Sequence, residues 1–250
     1  YGDHRDLHYP LRRQRQMCIR DSSSNIINIA KKSGARLHVF HISTEKEISL
    51  FDNKIPLDKK KITSEACIHH MWFSDKDYKS KGNFIKWNPA IKKQSDRNSI
   101  IDGINNDLID IIASDHAPHT LIEKNNSYLN CPSGGPLVQH SILALIDLFH
   151  QKKLTLEKIV QKACHNPAIL FKIKDRGFIR EGYYADLVLV DINDQFLVNK
   201  NNILYKCGWS PFEDFCFKSS IKKTMLNGKW VYLDGKIVNT DAAMEIEFNK

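Results

Sequence analysis

Residues 108–120 read LIDIIASDHAPHT, and this stretch decides the fold class. Residues 108–114 are an Ile-rich run of strand length, which ends in a polar cluster of Asp115, His116 and His119. Two more strand-like runs lie upstream, 36–42 (RLHVFHI) and 61–68 (KITSEACI). Helical patterns surround them. A helix is expected from Asn25, with Ile26, Ile27, Ile29 and Ala30 giving an apolar face and Gly34 where a C-terminal cap belongs. Residues 138–150 carry Ile142, Leu145, Ile146 and Phe149 at spacings of three and four, and Thr155, a good N-cap, opens a further helix to about Cys164. Strand and helix alternate, which predicts an α/β architecture with parallel strands. Residues 120–131, followed by Pro132-Ser133-Gly134-Gly135-Pro136, read as loop.

Beyond Asp175 the pattern becomes β-rich. Residues 185–190 (ADLVLV), 223–226 and 229–232 are short β runs, with Asn227-Gly228 a strong hairpin signal and Asp234-Gly235 a second turn. Three regions result. Residues 1–24 show no helical stripe and no turn logic, and are set apart as a segment of doubtful origin that resembles an assembly junction. Residues 25–174 form the α/β part and 175–250 the β-rich module.

The chain has 250 residues, which suits one large domain or two small ones. Hydrophobic residues at 42% and charged residues at 26% exclude wholesale disorder. No apolar run reaches the ~18–20 residues of a membrane-spanning helix. The net charge of +8 comes mostly from scattered Lys. Without a basic stripe interleaved with aromatics it reads as a solvated surface, not a nucleic-acid face. Of the six cysteines none forms a C-x-x-C pair, so a Cys-based zinc knuckle is not expected and a reducing cytoplasm fits best.

Three polar clusters stand in or just after the strand runs: His38 and His41 with Ser43 and Thr44; His69-His70; and Asp115 with His116 and His119. In a parallel α/β barrel the C-terminal strand ends open on one face, so such clusters converge. His and Asp suit zinc or a similar divalent ion, and an Asp beside it can take a proton from water. Plain readings compete. A strand His is often a satisfied core residue, Asp115 could be an N-cap, His119 a loop residue and Asn88 a turn former before Pro89. His38 and His41 differ by three, so in a strand they face opposite ways, and so do His69 and His70. Ser133-Gly134-Gly135 lacks the Lys-Ser/Thr of a P-loop, so an anion there would meet mainly backbone N–H groups.

Taken in order, HVFHIST (38–44), ACIHHMWFSD (66–75), IKWNPAIK (85–92), ASDHAPHT (113–120), PSGGPLVQH (132–140) and GYYADLVLVD (182–191) resemble the dihydroorotases of the amidohydrolase superfamily. The resemblance spans about Asn25 to the C-terminus. It implies the C-terminal part of a TIM-like (β/α)8 barrel, strands six to eight, followed by a small β-sandwich module. It implies a hydrolase of cyclic amide C–N bonds that interconverts carbamoyl aspartate and dihydroorotate in pyrimidine biosynthesis. One or two Zn2+ ions would polarise the ring carbonyl and activate water. His41 and Asp115 match metal ligands, and Asp115 also matches the proton carrier. Asn88, His119, Ser133 and Gly134 match substrate-contacting positions. The expected partner is the small-molecule substrate, in a cytoplasmic protein with neither nucleic acid nor membrane, and a homo-oligomer is compatible with the sequence.

The departures from the family pattern matter equally. Its H-x-H on strand one, its strand-four carboxylated Lys or Asp, its strand-five His and the Arg that meets the substrate carboxylate have no counterpart here. The chain is therefore expected to be a fragment, inactive alone, since two ligands cannot hold a site that wants about three or more. Other cyclic amidohydrolases (allantoinase, hydantoinase) and a non-catalytic, dihydroorotase-like scaffold protein are the competing readings.

Overall fold

The computed structural model describes residues 5–249, with side chains from Ile19 onward. Helix α1 (Arg5–Ser33) leads into strand β1 (Leu37–Val39), with Gly34 at φ +70° closing the helix as the cap position requires. The helix runs unbroken across residue 24, and the boundary expected there does not interrupt the backbone. Ser23 is already part of the packed structure, donating from Oγ to Glu47 Oε1 at 2.9 Å.

A one-turn helix α2 (Glu45–Ile48) follows β1. Strand β2 (Ile62–Cys67) passes directly into α3 (Ile68–Trp72). A short α4 (Tyr78–Lys81) and the longer α5 (Gln94–Asn105) then lead to β3 (Ile111–Ala113). The three strands form one parallel sheet in the order β1-β2-β3, with Leu37 opposite Ile62 and Glu65 opposite Ile111. This is the α/β arrangement expected from the alternation of runs. Helices supply the crossovers that parallel neighbours require. Their apolar faces meet the sheet in a core that includes Ile42, Ala66, Met71, Ile100, Ile104, Ile109 and Ile112.

The strands enter the sheet over a buried ion pair. Lys60 Nζ donates to Asp110 Oδ1 at 2.6 Å, and Asp110 Oδ2 accepts from the Ser64 amide at 2.9 Å, tying the starts of β2 and β3 together. Lys162 and Asn166 cap the same end by donating to the carbonyls of Ile109 and Asp110, each at 2.7 Å.

Residues 120–131, expected as loop, contain a helical turn, α6 (Leu121–Lys124), because Thr120 and Glu123 form a reciprocal capping box. Helix α7 (Ser141–His150) is buried on most sides through Leu143, Ala144, Leu145, Ile146 and Leu148. Thr155 caps α8 (Leu156–Val160), its Oγ1 accepting from the Lys158 amide, and a π turn at Gln161–His165 links it to α9 (Asn166–Leu170).

The β-rich module contains β4 (Leu187–Asp191), β5 (Phe196–Leu197), β6 (Cys216–Phe217), β7 (Ser220–Leu226), β8 (Lys229–Leu233) and β9 (Lys236–Ile237). Strands β4, β7, β8 and β9 form an antiparallel sheet in that order, and β5 pairs with β6. Asn227 and Gly228 both take positive φ, 52° and 77°, as a two-residue hairpin demands.

Candidate active site at the C-terminal ends of the parallel strands

The C-terminal ends of β1, β2 and β3 point the same way and carry His41, His69 and Asp115 to one face. The β1 ladder is interrupted at His41 (φ +40°) and resumes one residue later, where the Ile42 amide donates to the Glu65 carbonyl at 2.9 Å. Asp115 likewise leaves β3 with φ +48°. Left-handed backbone in a non-glycine residue costs of order 1–3 kcal/mol and clusters where function requires it. Here it turns both side chains off the ends of their strands.

His69 and His70 do not alternate across a strand, as their adjacency had suggested. The chain turns helical at Ile68, and both imidazoles are buried with ring centroids 4.1 Å apart. His69 stacks on Trp87 at 4.5 Å and 7°, and its Nε2 lies 3.8 Å from Asp115 Oδ2. His70 Nε2 meets the Pro89 carbonyl at 3.0 Å. Burial pushes the pKa of both imidazoles down, for His70 to about 3. The Asp115 carboxyl is pushed up by burial and by Glu65, and drawn down by His41. Burial raises the Cys67 thiol far above its ordinary value, with Glu65 and Asp115 adding to the effect, so it offers no thiolate nucleophile.

His38 stays within β1 and faces a different set of partners. Its ring nitrogens meet Thr63 Oγ1 at 2.9 Å and Glu65 Oε2 at 3.1 Å. It is the satisfied strand His of the plain reading.

Three loops complete the face. His119 Nε2 meets the Ser133 carbonyl at 3.0 Å, the Ala117 amide donates to the Gly135 carbonyl, and the Gly134 amide donates to the Lys86 carbonyl at 2.8 Å. Asn88 is exposed next to a cis bond to Pro89, between Trp87 on His69 and Pro89 on His70. The structure therefore brings His41 together with Asp115, and His119 together with Ser133 and Gly134, with the Asn88 segment tied to the second group by the bond from the Gly134 amide to the Lys86 carbonyl.

Sequence reasoning did not identify the residues that hold these loops. Lys124 is fully buried and donates to the carbonyls of Pro132 (3.1 Å) and Gly134 (2.9 Å). Lys86 donates to the carbonyls of Tyr128 and Cys131. Trp209 Nε1 donates to the His119 carbonyl at 2.8 Å, and its ring lies under Gly135. The Trp87 ring is a further support, and KWNP in the sequence is its only signal.

A catalytic zinc site takes about three protein ligands. Among the described residues, no three His, Cys, Asp or Glu side chains gather into a cluster that could hold a metal ion. His41 and Asp115 are two donors, and alone they do not fit the ion.

The model of the amidohydrolase family matches residues 15–231. The chain belongs to the amidohydrolase family. Members similar to it in sequence include the dihydroorotase of Acetivibrio thermocellus, 34% identical over 78% of this chain and 46% of that protein. The dihydroorotase of Pyrococcus abyssi is 31% identical over 85% of this chain and 50% of that protein. The chain spans about half the length of the curated relatives it matches. Among solved structures, the L-hydantoinase (dihydropyrimidinase) from Arthrobacter aurescens superposes with a TM-score of 0.79 at 22% identity, over 88% of this chain and 50% of that one. The D-hydantoinase (dihydropyrimidinase) from Thermus sp. gives 0.77 at 18% identity, over 89% and 50%. At these identities the likeness concerns the α/β fold. The amidohydrolase match begins inside the segment before residue 25 that the sequence pattern had set apart.

Proposed function

We propose that this chain is the C-terminal portion of a dihydroorotase, with β1, β2 and β3 as strands six to eight of a (β/α)8 barrel and residues 175–250 as the β-sandwich module. The observation that carries the reading is the meeting of the D-H-A-P-H, K-W-N-P and P-S-G-G segments on one face. The relatives above 30% identity support it, since those cited carry the dihydroorotase name, while the hydantoinases are 22% identical or less.

In this reading Asp115 carries a proton to the ring nitrogen as the cyclic amide opens. His119 and Asn88 hold the substrate, and Ser133 and Gly134 line its ring through backbone groups. His41 and Asp115 serve as two donors of a zinc site completed outside the described residues. A bound zinc ion would supply Lewis-acid polarisation of a carbonyl, and no step of it is assigned to this chain alone. The substrate is a small molecule, and the enzyme is cytoplasmic and compatible with a homo-oligomer. Among the described residues no helix is long and apolar enough to cross a membrane.

The test uses a polypeptide carrying this chain together with the half its relatives possess, assayed on dihydroorotate, hydantoin and allantoin. Dihydroorotate is expected to be turned over fastest, and Asp115→Asn to lower kcat by about 10²–10⁴-fold. Preference for hydantoin or allantoin, or undiminished turnover by Asp115→Asn, overturns the assignment.

A further inference from the structure

We propose that His69 is a positioning residue for Asp115, its Nε2–H orienting the Oδ2 oxygen so that Oδ1 faces the reacting ring. The role of this positioning in turnover rests on the dihydroorotase reading. The contact itself does not.

His69 is wholly buried, and among the described residues neither of its ring nitrogens has a hydrogen-bond partner. Buried polar atoms are nearly always paired, and an orphan calls for an explanation. The ring cannot turn to seek a partner elsewhere. Trp87 is stacked on its face, His70 packs against it at 4.1 Å, and His70 is itself fixed by the Pro89 carbonyl. A polar group facing it is Asp115, whose Oδ2 lies 3.8 Å from Nε2. The Asp115 side chain is 31% exposed, against none for His69, so the carboxylate is the partner with room to move. A shift of about 0.6 Å closes the 3.8 Å gap to hydrogen-bond range. Such contacts are often long in unliganded sites and tighten when substrate arrives. The competing role is that of a flat ring filling the space beneath Trp87.

Two measurements separate these roles. In this chain, labelled at histidine and observed by NMR, His69 is expected as the Nε2–H tautomer, with a protected ring proton that shifts in both Asp115→Ala and Asp115→Asn. An Nδ1–H tautomer, or a proton indifferent to both substitutions, overturns the proposal. In the complete enzyme, His69→Phe keeps the stacked ring but removes the donor. It is expected to lower kcat about 10–100-fold, with little change in KM and no loss of melting temperature. His69→Gln, whose amide nitrogen can occupy the Nε2 position, is expected to recover most of the rate. Full turnover by His69→Phe, or equal losses in Phe and Gln, overturns the role. An Asp115-sensitive proton in a protein that does not open dihydroorotate removes the dihydroorotase reading and leaves the contact standing.

Discussion

Replacing Gly134 with Ala tests whether contact between the two loops fixes His119. Gly134 has φ +125°, and a Cβ there would lie 2.6 Å from the Ala117 carbonyl oxygen, 2.9 Å from Ala117 Cβ and 3.3 Å from His119 Nε2. The first of these neighbours is backbone, so it yields only if the D-H-A-P-H loop moves. Rotation of the peptide offers no escape, because the Gly134 amide donates to the Lys86 carbonyl at 2.8 Å and the Gly134 carbonyl accepts from Lys124 at 2.9 Å. The unfavourable φ costs of order 1–3 kcal/mol and the forced methyl a similar amount. Losing the bond from His119 to the Ser133 carbonyl adds about 1 kcal/mol. Partial relaxation means that these do not sum, and a loss of about 3 kcal/mol is expected. Urea unfolding followed by tryptophan fluorescence reads it, since Trp87 and Trp209 both lie against neighbouring Gly135. The midpoint should fall with an unchanged slope. Ser133→Ala is the control. Ser133 is exposed and uses its carbonyl, so a change within about 0.5 kcal/mol is expected. A Gly134→Ala protein as stable as the parent would refute the reasoning, because the loops would then part without cost.

Two further perturbations test the scaffold. Among the described residues, Lys60→Met leaves the buried Asp110 carboxyl with only the Ser64 amide as hydrogen-bond partner and the more distant charge of Lys162, and burial already pushes that carboxyl up despite Lys60. The expected loss is about 3–5 kcal/mol, partly recovered by adding Asp110→Asn, as a double-mutant cycle in urea would measure. His140 is buried against Ser210, Tyr205 and Phe217, and burial lowers its pKa to about 4. Its folded value lies below the unfolded one of about 6.5, so as the pH falls below 6.5 the unfolded chain gains a proton that the native one refuses. Stability from this residue is full above pH 6.5 and falls by about 1.4 kcal/mol per unit down to about pH 4. His140→Gln should therefore lose about 2 kcal/mol less than the parent between pH 6.5 and 5, and equal losses would contradict the burial argument.

The strands were legible because RLHVFHI, KITSEACI and LIDIIAS are apolar runs ending in polar residues, and parallel pairing follows from the helices between them. The first half of α1 was not. A helix rich in Arg and Gln has strong intrinsic propensity, yet without an apolar stripe periodicity cannot find it. His69 and His70 were placed at a strand end because IHHMW continues the apolar run of β2, and a short apolar run does not announce where strand becomes helix. His41, Asp115 and His119 were legible as chemistry, since each stands in a polar cluster after a strand. Lys86 and Lys124 were not, because their partners are backbone carbonyls and no residue pattern encodes a carbonyl.

That last point explains how the face is built. Loops at a sheet's C-terminal edge carry backbone carbonyls that need donors once water is excluded. Lys124 reaches two of them within the P-S-G-G loop from α6, and Lys86 reaches two more just before it, at Tyr128 and Cys131, while its own carbonyl accepts from the Gly134 amide, so the loop is held from both sides. Each lysine satisfies several carbonyls with one charged group, and charge-assisted bonds are roughly twice as strong as neutral ones. The loop's own side chains are thereby released from structural duty. Ser133 can be exposed, Gly134 can take a conformation no other residue favours, and His119 can rest on a carbonyl whose position is fixed. A substitution at Lys124 should consequently displace His119 without touching it, through the Gly134 carbonyl.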